Sequence, residues 1–539
     1  MDPRLIDDIP CNGPCRKRFR PATVNMDQAT ASILRSSGRD FGLRWLCPQC
    51  RQLDGPLRLA ELPPELWITI FRHLDHLSIL EVRSTCHRWK DIVDLNLCLR
   101  QNFSIEFERN FTMDQRYYPG NLFPAPSASL RDAKIITVDA WWPSFGPGLT
   151  VLSLGGCEIA LPTLLGMLKE TPNLTELLLI GIKYTSVEEI RVDFRLEKLR
   201  DLSCESVFDV FIDIFPRLRY FDLRTMSEDE EDIACRLLQS VQSTLTELTC
   251  SFSPSMLERI ASMSQLHPAH VFHLGKKETV VQLCQIKMFQ ESIEDFCVTA
   301  DNAALCEIGR NLRKLKSLRV DIESDEITFV PSFLAEMTRL SRLYLFGQPG
   351  DNTQLVNFAR FRSPNLANLH LYFLIIVAGS LHSYLSQCPN IQAINMVNCA
   401  VDSWDDIFAP RFGSLRRLCL AQITATHNSA SIPNLACNLQ ELRISNSDIP
   451  IQVLIQFILR CPQLEILNFC FMENITDELV LVFDRLPKLR KFSIYKGALT
   501  DISVDFIIEK CPRLVVDISG DQMISKTGNR RLKDFARFR

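Results

Sequence analysis

The chain has 539 residues, 46% of them hydrophobic and 23% charged, with a formal net charge of −4. That balance suits a water-soluble chain of two to four domains or one long repeat array, and it gives no bulk attraction to nucleic acid or anionic lipid. The opening MDPRLIDDIPCN lacks the apolar core of a secretory signal, and no apolar run approaches the roughly 20 residues of a membrane helix. The expectation is a reducing compartment, cytoplasmic or nuclear, where the 20 cysteines are buried thiols or metal ligands. Asn173 and Asn474, although in Asn-x-Ser/Thr patterns, then carry no glycan.

Residues 1–58 hold two cysteine pairs, Cys11 with Cys15 and Cys47 with Cys50. Each pair can present two thiolates from one tight turn, and together they suit one tetrahedral zinc ion. A segment of this size with few large apolar side chains has little else to fold around. With Trp45 two places before the last pair, the segment resembles half of a PHD finger. Arg20 and Thr23 stand about where ligands of a second, interleaved site would be. The resemblance therefore implies one zinc at most and does not carry histone-tail reading with it.

Residues 59–100 open with Leu62-Pro63, and Leu66, Ile70 and Leu74 follow at four-residue spacing as one apolar stripe. Proline is tolerated in a first helical turn, where its missing N–H costs little. Ser78 can cap a second helix that carries Leu80, Val82, Cys86 and Trp89. This order of residues resembles the F-box, the helical module that docks a receptor onto the adaptor of a cullin-based ubiquitin ligase. Ser78 stands where the family usually has Asp; Ser84 and Thr85 stand where it prefers Leu and Val. The resemblance implies that Leu62, Pro63, Leu66, Ile70, Leu74, Leu80 and Trp89 bind a Skp-type adaptor and, through it, a cullin.

Residues 101–148 are a turn-rich connection in which AKIITV, at 133–138, fits a short strand capping the first edge of a sheet. From residue 149 to 525 a motif L-x-x-L-x-L returns about every 25 residues. It is clearest as LTVLSL at 149, LTELLL at 174, LSRLYL at 340, LANLHL at 366, LRRLCL at 415 and LQELRI at 439. The last apolar positions alternate with variable ones, which marks a short strand with one buried face. The segment after it has helical spacing and stops at Cys388-Pro389, Cys461-Pro462 or Cys511-Pro512, because proline disfavours helix in the residue before it. About sixteen such units resemble the leucine-rich repeat family in its cysteine-containing variety. The expected fold is α/β: a leucine-rich-repeat solenoid with a curved parallel sheet and outer helices, preceded by the all-helical F-box and the small zinc-binding-like segment. No unit can bury its face alone, so the array is stable only as a stack.

Three further features take bland readings. The acidic run SEDEED at 227–232 reads as a solvated loop, and the basic stretch 526–539, with Arg530, Arg531, Lys533, Arg537 and Arg539, as a capping tail. His267, His270 and His273 straddle Pro268, so a strand there alternates their faces and they do not converge on a metal. No phosphate-cradling loop or nucleophile elbow occurs in the sequence.

Stacking strands about 4.8 Å apart brings matching positions of successive repeats together. Tyr344 and Phe346 then neighbour His370 and Tyr372 on the concave face, with Arg319 and Arg342 on one side and Arg417, Arg443 and Lys491 beyond. Exposed aromatics beside arginines are the composition of an interaction hot spot. The resemblance as a whole implies a non-catalytic substrate-recognition subunit of an SCF-type ubiquitin ligase, with a protein substrate held by the repeats. Two alternatives stand beside it: an F-box protein with a scaffold role outside degradation, and a nuclear or chromatin interaction protein that works through the zinc module.

Overall fold

The computed structural model describes Ile9–Pro10, Arg18–Phe19 and residues 62–537, apart from 102, 120–122, 124, 189–190, 224–227, 274–276, 324–327, 350–353, 359–360, 409–412, 429–435 and 521–522. The chain divides into two units, Met1–Glu205 with Asp209–Leu218, and Ser206–Phe208 with Arg219–Arg539.

The first unit begins with four short helices, α1 (Pro64–Phe71), α2 (His76–Thr85), α3 (His87–Leu95) and α4 (Leu97–Arg100). Pro63 caps α1 and Pro64 fills its first turn. The cap of α2 is Asp75, whose carboxylate accepts from the Ser78 backbone N–H at 2.8 Å, so Ser78 is the third residue of the helix and not its cap. The expected single helix from Leu80 to Trp89 is two helices, broken at Cys86, which is fully extended (φ −159°, ψ 160°). Its cause lies just upstream. The Ser84 and Thr85 hydroxyls both bond the Glu81 carbonyl, at 2.7 and 2.9 Å, competing with the backbone ladder at the two positions that depart from the family pattern.

Trp67 and Phe71 form the centre of this helical module, packed with Ile79, Val82, Ile92, Val93 and Leu99. Phe103 and Ala125 from the following segment belong to the same cluster, so the module is continuous with the first strands of the sheet. Those strands, Ser104–Glu106, Ser127–Arg131, Val151–Gly155, Glu176–Ile180 and Asp201–Cys204, pair in parallel. The sheet thus begins before residue 149. The short strand expected in AKIITV is present as Lys134–Ile135 but does not cap this sheet, whose second strand is Ser127–Arg131 with Ala128 and Leu130 buried. Lys134–Ile135 joins a second short ladder with Thr112–Met113, Glu158–Ile159 and Lys183–Tyr184.

In the second unit, parallel strands run in register from Tyr220–Leu223 to Val515–Ser519. Strands such as Asp295–Ala300 and Ile466–Cys470 alternate buried and half-exposed residues as the repeat motif requires, while Tyr220–Leu223 buries three residues in a row and Val515–Ser519 buries none. Helices such as Asn302–Asn311, Ile451–Ile458 and Asp501–Lys510 form the return legs. Between Thr328 and His427 the return legs also contain a second parallel sheet, Thr328–Phe329, Gln354–Val356, Leu374–Ile376, Ala400–Ser403 and Thr424–His427. Its strands are too short to carry a readable period, and helices there shrink to single turns such as Asp405–Phe408.

Residues at the stop positions do more than fill space. Cys388, Cys461, Thr171 and Ser363 are all buried. Cys461 Sγ donates to the Phe457 carbonyl at 3.3 Å and Thr171 Oγ1 to the Leu168 carbonyl at 2.9 Å, each adding to a backbone N–H bond that the same carbonyl accepts at the helix end. Asparagines just after the prolines tie one repeat to the one before: Asn173, Asn365 and Asn390 donate to the carbonyls of Pro147, Thr338 and Pro364 at 2.7–2.8 Å.

The acidic run is not a loop. Glu228–Val241 is a helix whose first turns carry it, a placement the helix dipole favours. Hydrogen bonds from Arg259 and Arg236 hold the Asp232 carboxyl below its ordinary range. The basic tail contains the helix Lys526–Arg537, which buries Leu532 and pairs Arg531 with Asp505.

Candidate adaptor and partner surfaces

Helix α1 separates its apolar residues onto two faces. Trp67 and Phe71 are 4% and 2% exposed, whereas Leu66 and Ile70, one position earlier in each turn, are 49% and 39% exposed. Leu80 on α2 is 40% exposed. Leu74 and Leu62 lean against the core, and the Trp89 ring lies 4.7 Å from that of Trp67. Pro63 is exposed, and the Leu62 carbonyl accepts a 2.7 Å bond from Arg88 on α3. The expected stripe is therefore split. Leu66, Ile70, Leu80 and Pro63 face outward, while Leu62, Leu74 and Trp89 support the module from within. A core side chain in a helix of this spacing was equally legible in Trp67 and Phe71, which share the four-residue period.

On the concave face of the second unit, the register pairs Tyr344 with His370 and Phe346 with Tyr372. The Tyr344 and His370 rings stack at 4.2 Å and 12°, and Phe346 and Tyr372 at 4.3 Å with parallel planes. Arg319, opposite Tyr344 on the preceding strand, lays its guanidinium over the Phe346 ring at 4.3 Å. On the other side Asn395 donates to the Tyr372 hydroxyl at 3.0 Å, a contact the repeat period could have announced because Asn395 sits opposite His370 in the ladder. His370 Nδ1 is buried without a hydrogen-bond partner. Burial, and then the Arg417 charge, lower the His370 pKa, so the ring is neutral at pH 7.

The expected arginines differ in what they hold. Arg342 donates to Asp295 at 2.8 Å, and His270 pairs with the other oxygen of Asp295 at 2.7 Å. Arg443 pairs with Glu441. Arg417 and Lys491 are exposed. Of the three histidines, His267 is exposed, His270 faces the concave side and His273 is buried against Thr279 at 2.8 Å, so they do not converge. Among the described residues no group of His, Cys, Asp and Glu is arranged to hold a metal ion. Cys11, Cys15, Cys47 and Cys50 lie outside the described residues; on either side of the first pair, Ile9–Pro10 and Arg18–Phe19 form an antiparallel ladder. Among the described residues no helix is long and apolar enough to cross a membrane.

No curated protein sequence matches the chain. Among solved structures, that of the TLR13-ssRNA13 complex aligns at 15% identity over 74% of this chain and 53% of that chain, with a TM-score of 0.45. This chain thus spans about half the length of that relative. An internalin, InlF from Listeria monocytogenes, aligns at 14% identity over 72% and 86% of the two chains, with a TM-score of 0.27. The family model of the F-box domain matches residues 59–101, the helical module built around Trp67 and Phe71. Residues 59–101 are an F-box domain, followed by parallel-stranded repeats.

Proposed function

We propose that the chain is the substrate-recognition subunit of an SCF-type ubiquitin ligase. The observation that carries this reading is the outward face of the F-box, where Leu66, Ile70 and Leu80 are exposed on a module whose own aromatic core is already filled. Large apolar side chains in such a setting gain free energy when a partner covers them. The partner is a Skp-type adaptor, which brings a cullin. The concave group of Tyr344, Phe346, His370 and Tyr372 with its arginines receives the protein to be ubiquitinated. The chain contributes binding surfaces, and transfer chemistry belongs to the other subunits. Cys11, Cys15, Cys47 and Cys50 hold one zinc ion that organises the amino-terminal segment. The protein works in the cytoplasm or the nucleus, where thiols stay reduced.

The test is co-purification. Leu66→Asp with Ile70→Asp should abolish recovery of adaptor and cullin while the circular dichroism of the chain stays that of the wild type. A double variant that still recruits a cullin would refute the ligase reading. Recovery of the adaptor without a cullin from wild type would point to a scaffold role outside degradation.

A further inference from the structure

The concave positions of four neighbouring strands, Arg342–Phe346, Asn368–Tyr372, Ala393–Val397 and Arg417–Ala421, contain no carboxylate. The cations in and beside them are compensated unequally. Arg342 is held by Asp295 and Arg443 by Glu441. Arg319 lies over the Phe346 ring, with Asp321 the next concave residue on its own strand. Arg417 has no such partner: among the described residues, no hydrogen bond or ion pair engages its guanidinium. Its ladder neighbour is Glu441, whose carboxylate is turned to Arg443. Arg417 stands two strands along the sheet from His370, across Ala393–Val397.

Beside the two stacked ring pairs, Arg417 is thus the cation that neither a carboxylate nor a ring engages directly. One free guanidinium matches a singly charged carboxylate, in the fork geometry that arginine favours. A phosphate dianion would call for a second free cation at hand, whereas Arg342 and Arg443 are already engaged and Lys491 stands three strands beyond Arg417. The ring pairs offer an apolar wall with few groups to desolvate, which suits an aromatic or large aliphatic side chain. Building on the reading of the concave face as the target site, we infer that it takes a peptide segment in which an Asp or Glu adjoins an aromatic or large apolar residue. The carboxylate pairs with Arg417, and the apolar side chain lies against Tyr344–His370 and Phe346–Tyr372.

The probe is three pools of synthetic peptides with identical random flanks and a fixed central pair, Glu-Phe, Gln-Phe or phosphoserine-Phe, titrated against the full-length chain by fluorescence polarisation. The Glu-Phe pool should bind at least about tenfold more tightly than the Gln-Phe pool. That preference should vanish in Arg417→Ala and persist in Lys491→Ala, with circular dichroism and adaptor capture reporting an intact fold for both. Equal binding of Glu-Phe and Gln-Phe, a preference for the phosphoserine pool, a preference that survives Arg417→Ala, or no binding by any pool would each overturn the inference. Binding that depends on Tyr344 and Tyr372 but not on the acid would remove the carboxylate and leave the concave site standing. Binding indifferent to Tyr344→Ala with Tyr372→Ala would remove both.

Discussion

Arg83 on α2 grips Asp94 on α3 through two hydrogen bonds, Nε to Oδ1 at 2.6 Å and Nη2 to Oδ2 at 3.1 Å. The same guanidinium lies 4.5 Å from the centre of the Phe123 ring, which packs edge-on against Phe103. One side chain thus links the two F-box helices on either side of the Cys86 break to the segment that leads into the sheet. Both partners are mostly buried, so the pair is shielded from water and salt. A double-mutant cycle with Arg83→Ala and Asp94→Ala should give a coupling of about 1–2 kcal/mol in urea unfolding. Coupling near zero would reduce the pair to an ordinary surface contact.

The split of α1 into two faces predicts opposite phenotypes from adjacent residues. Trp67→Ala opens a cavity among Phe71, Ile92 and Val93 and should cost about 3–5 kcal/mol of stability. Leu66→Ala should change stability by less than about 0.5 kcal/mol and yet weaken adaptor capture. Thermal melts together with adaptor pull-down separate the two, and equal destabilisation by both would show that Leu66 belongs to the core.

Target capture should fall with the rings themselves. Tyr344→Ala and Tyr372→Ala each remove a stacked partner and should each cost about 2 kcal/mol of target binding if they are hot-spot residues. Gly347 offers a second route to the same site. A Cβ there would press into the Phe373 carbonyl oxygen and stand 2.9 Å from Leu374 Cδ2. Gly347→Ala should therefore destabilise the repeats by about 1–3 kcal/mol and disturb Phe346 next to it. Unchanged melting of Gly347→Ala would mean that the strand end can shift at no cost.

Acid should weaken the repeats through His370. Burial and Arg417 hold its pKa below the ordinary 6.5, so the folded chain binds fewer protons here than the unfolded one. This contribution to stability is complete above the ordinary value and declines as pH falls below it, until the folded-state pKa is passed. His370→Gln should lose less stability than wild type between pH 7.5 and 5.5, as followed by melting temperature. Parallel pH profiles would assign the acid sensitivity to other groups.

For the amino-terminal cysteines, elemental analysis of the full-length chain purified without chelator should give about one zinc per chain. Cys11→Ser or Cys47→Ser should each release it. A metal-free wild type would leave residues 1–58 without the proposed zinc.

Much of the ladder could be read in advance, because L-x-x-L-x-L states both the period and the buried face of each strand. The meeting of Tyr344 with His370 follows from that period alone. Which arginine is already engaged could not be read, since Asp295 and Glu441 reach Arg342 and Arg443 through side-chain conformation as well as register. The break at Cys86 was hidden for a different reason. Ser84 and Thr85 look like mild departures from a pattern until their hydroxyls are seen bonding the Glu81 carbonyl. Charge density alone suggests solvation for the acidic run, whereas at the start of Glu228–Val241 it complements a helix end.

The buried cysteines give the repeats a chemical clock. Burial pushes the Cys284 and Cys399 thiols up to about 12 and that of Cys388 up to about 11, and it raises those of Cys235 and Cys250 as well. A thiol held protonated and out of water does not react with an alkylating reagent until its own repeat opens. Because these residues are spread along the array, the order in which they become alkylated would trace the order in which neighbouring repeats breathe.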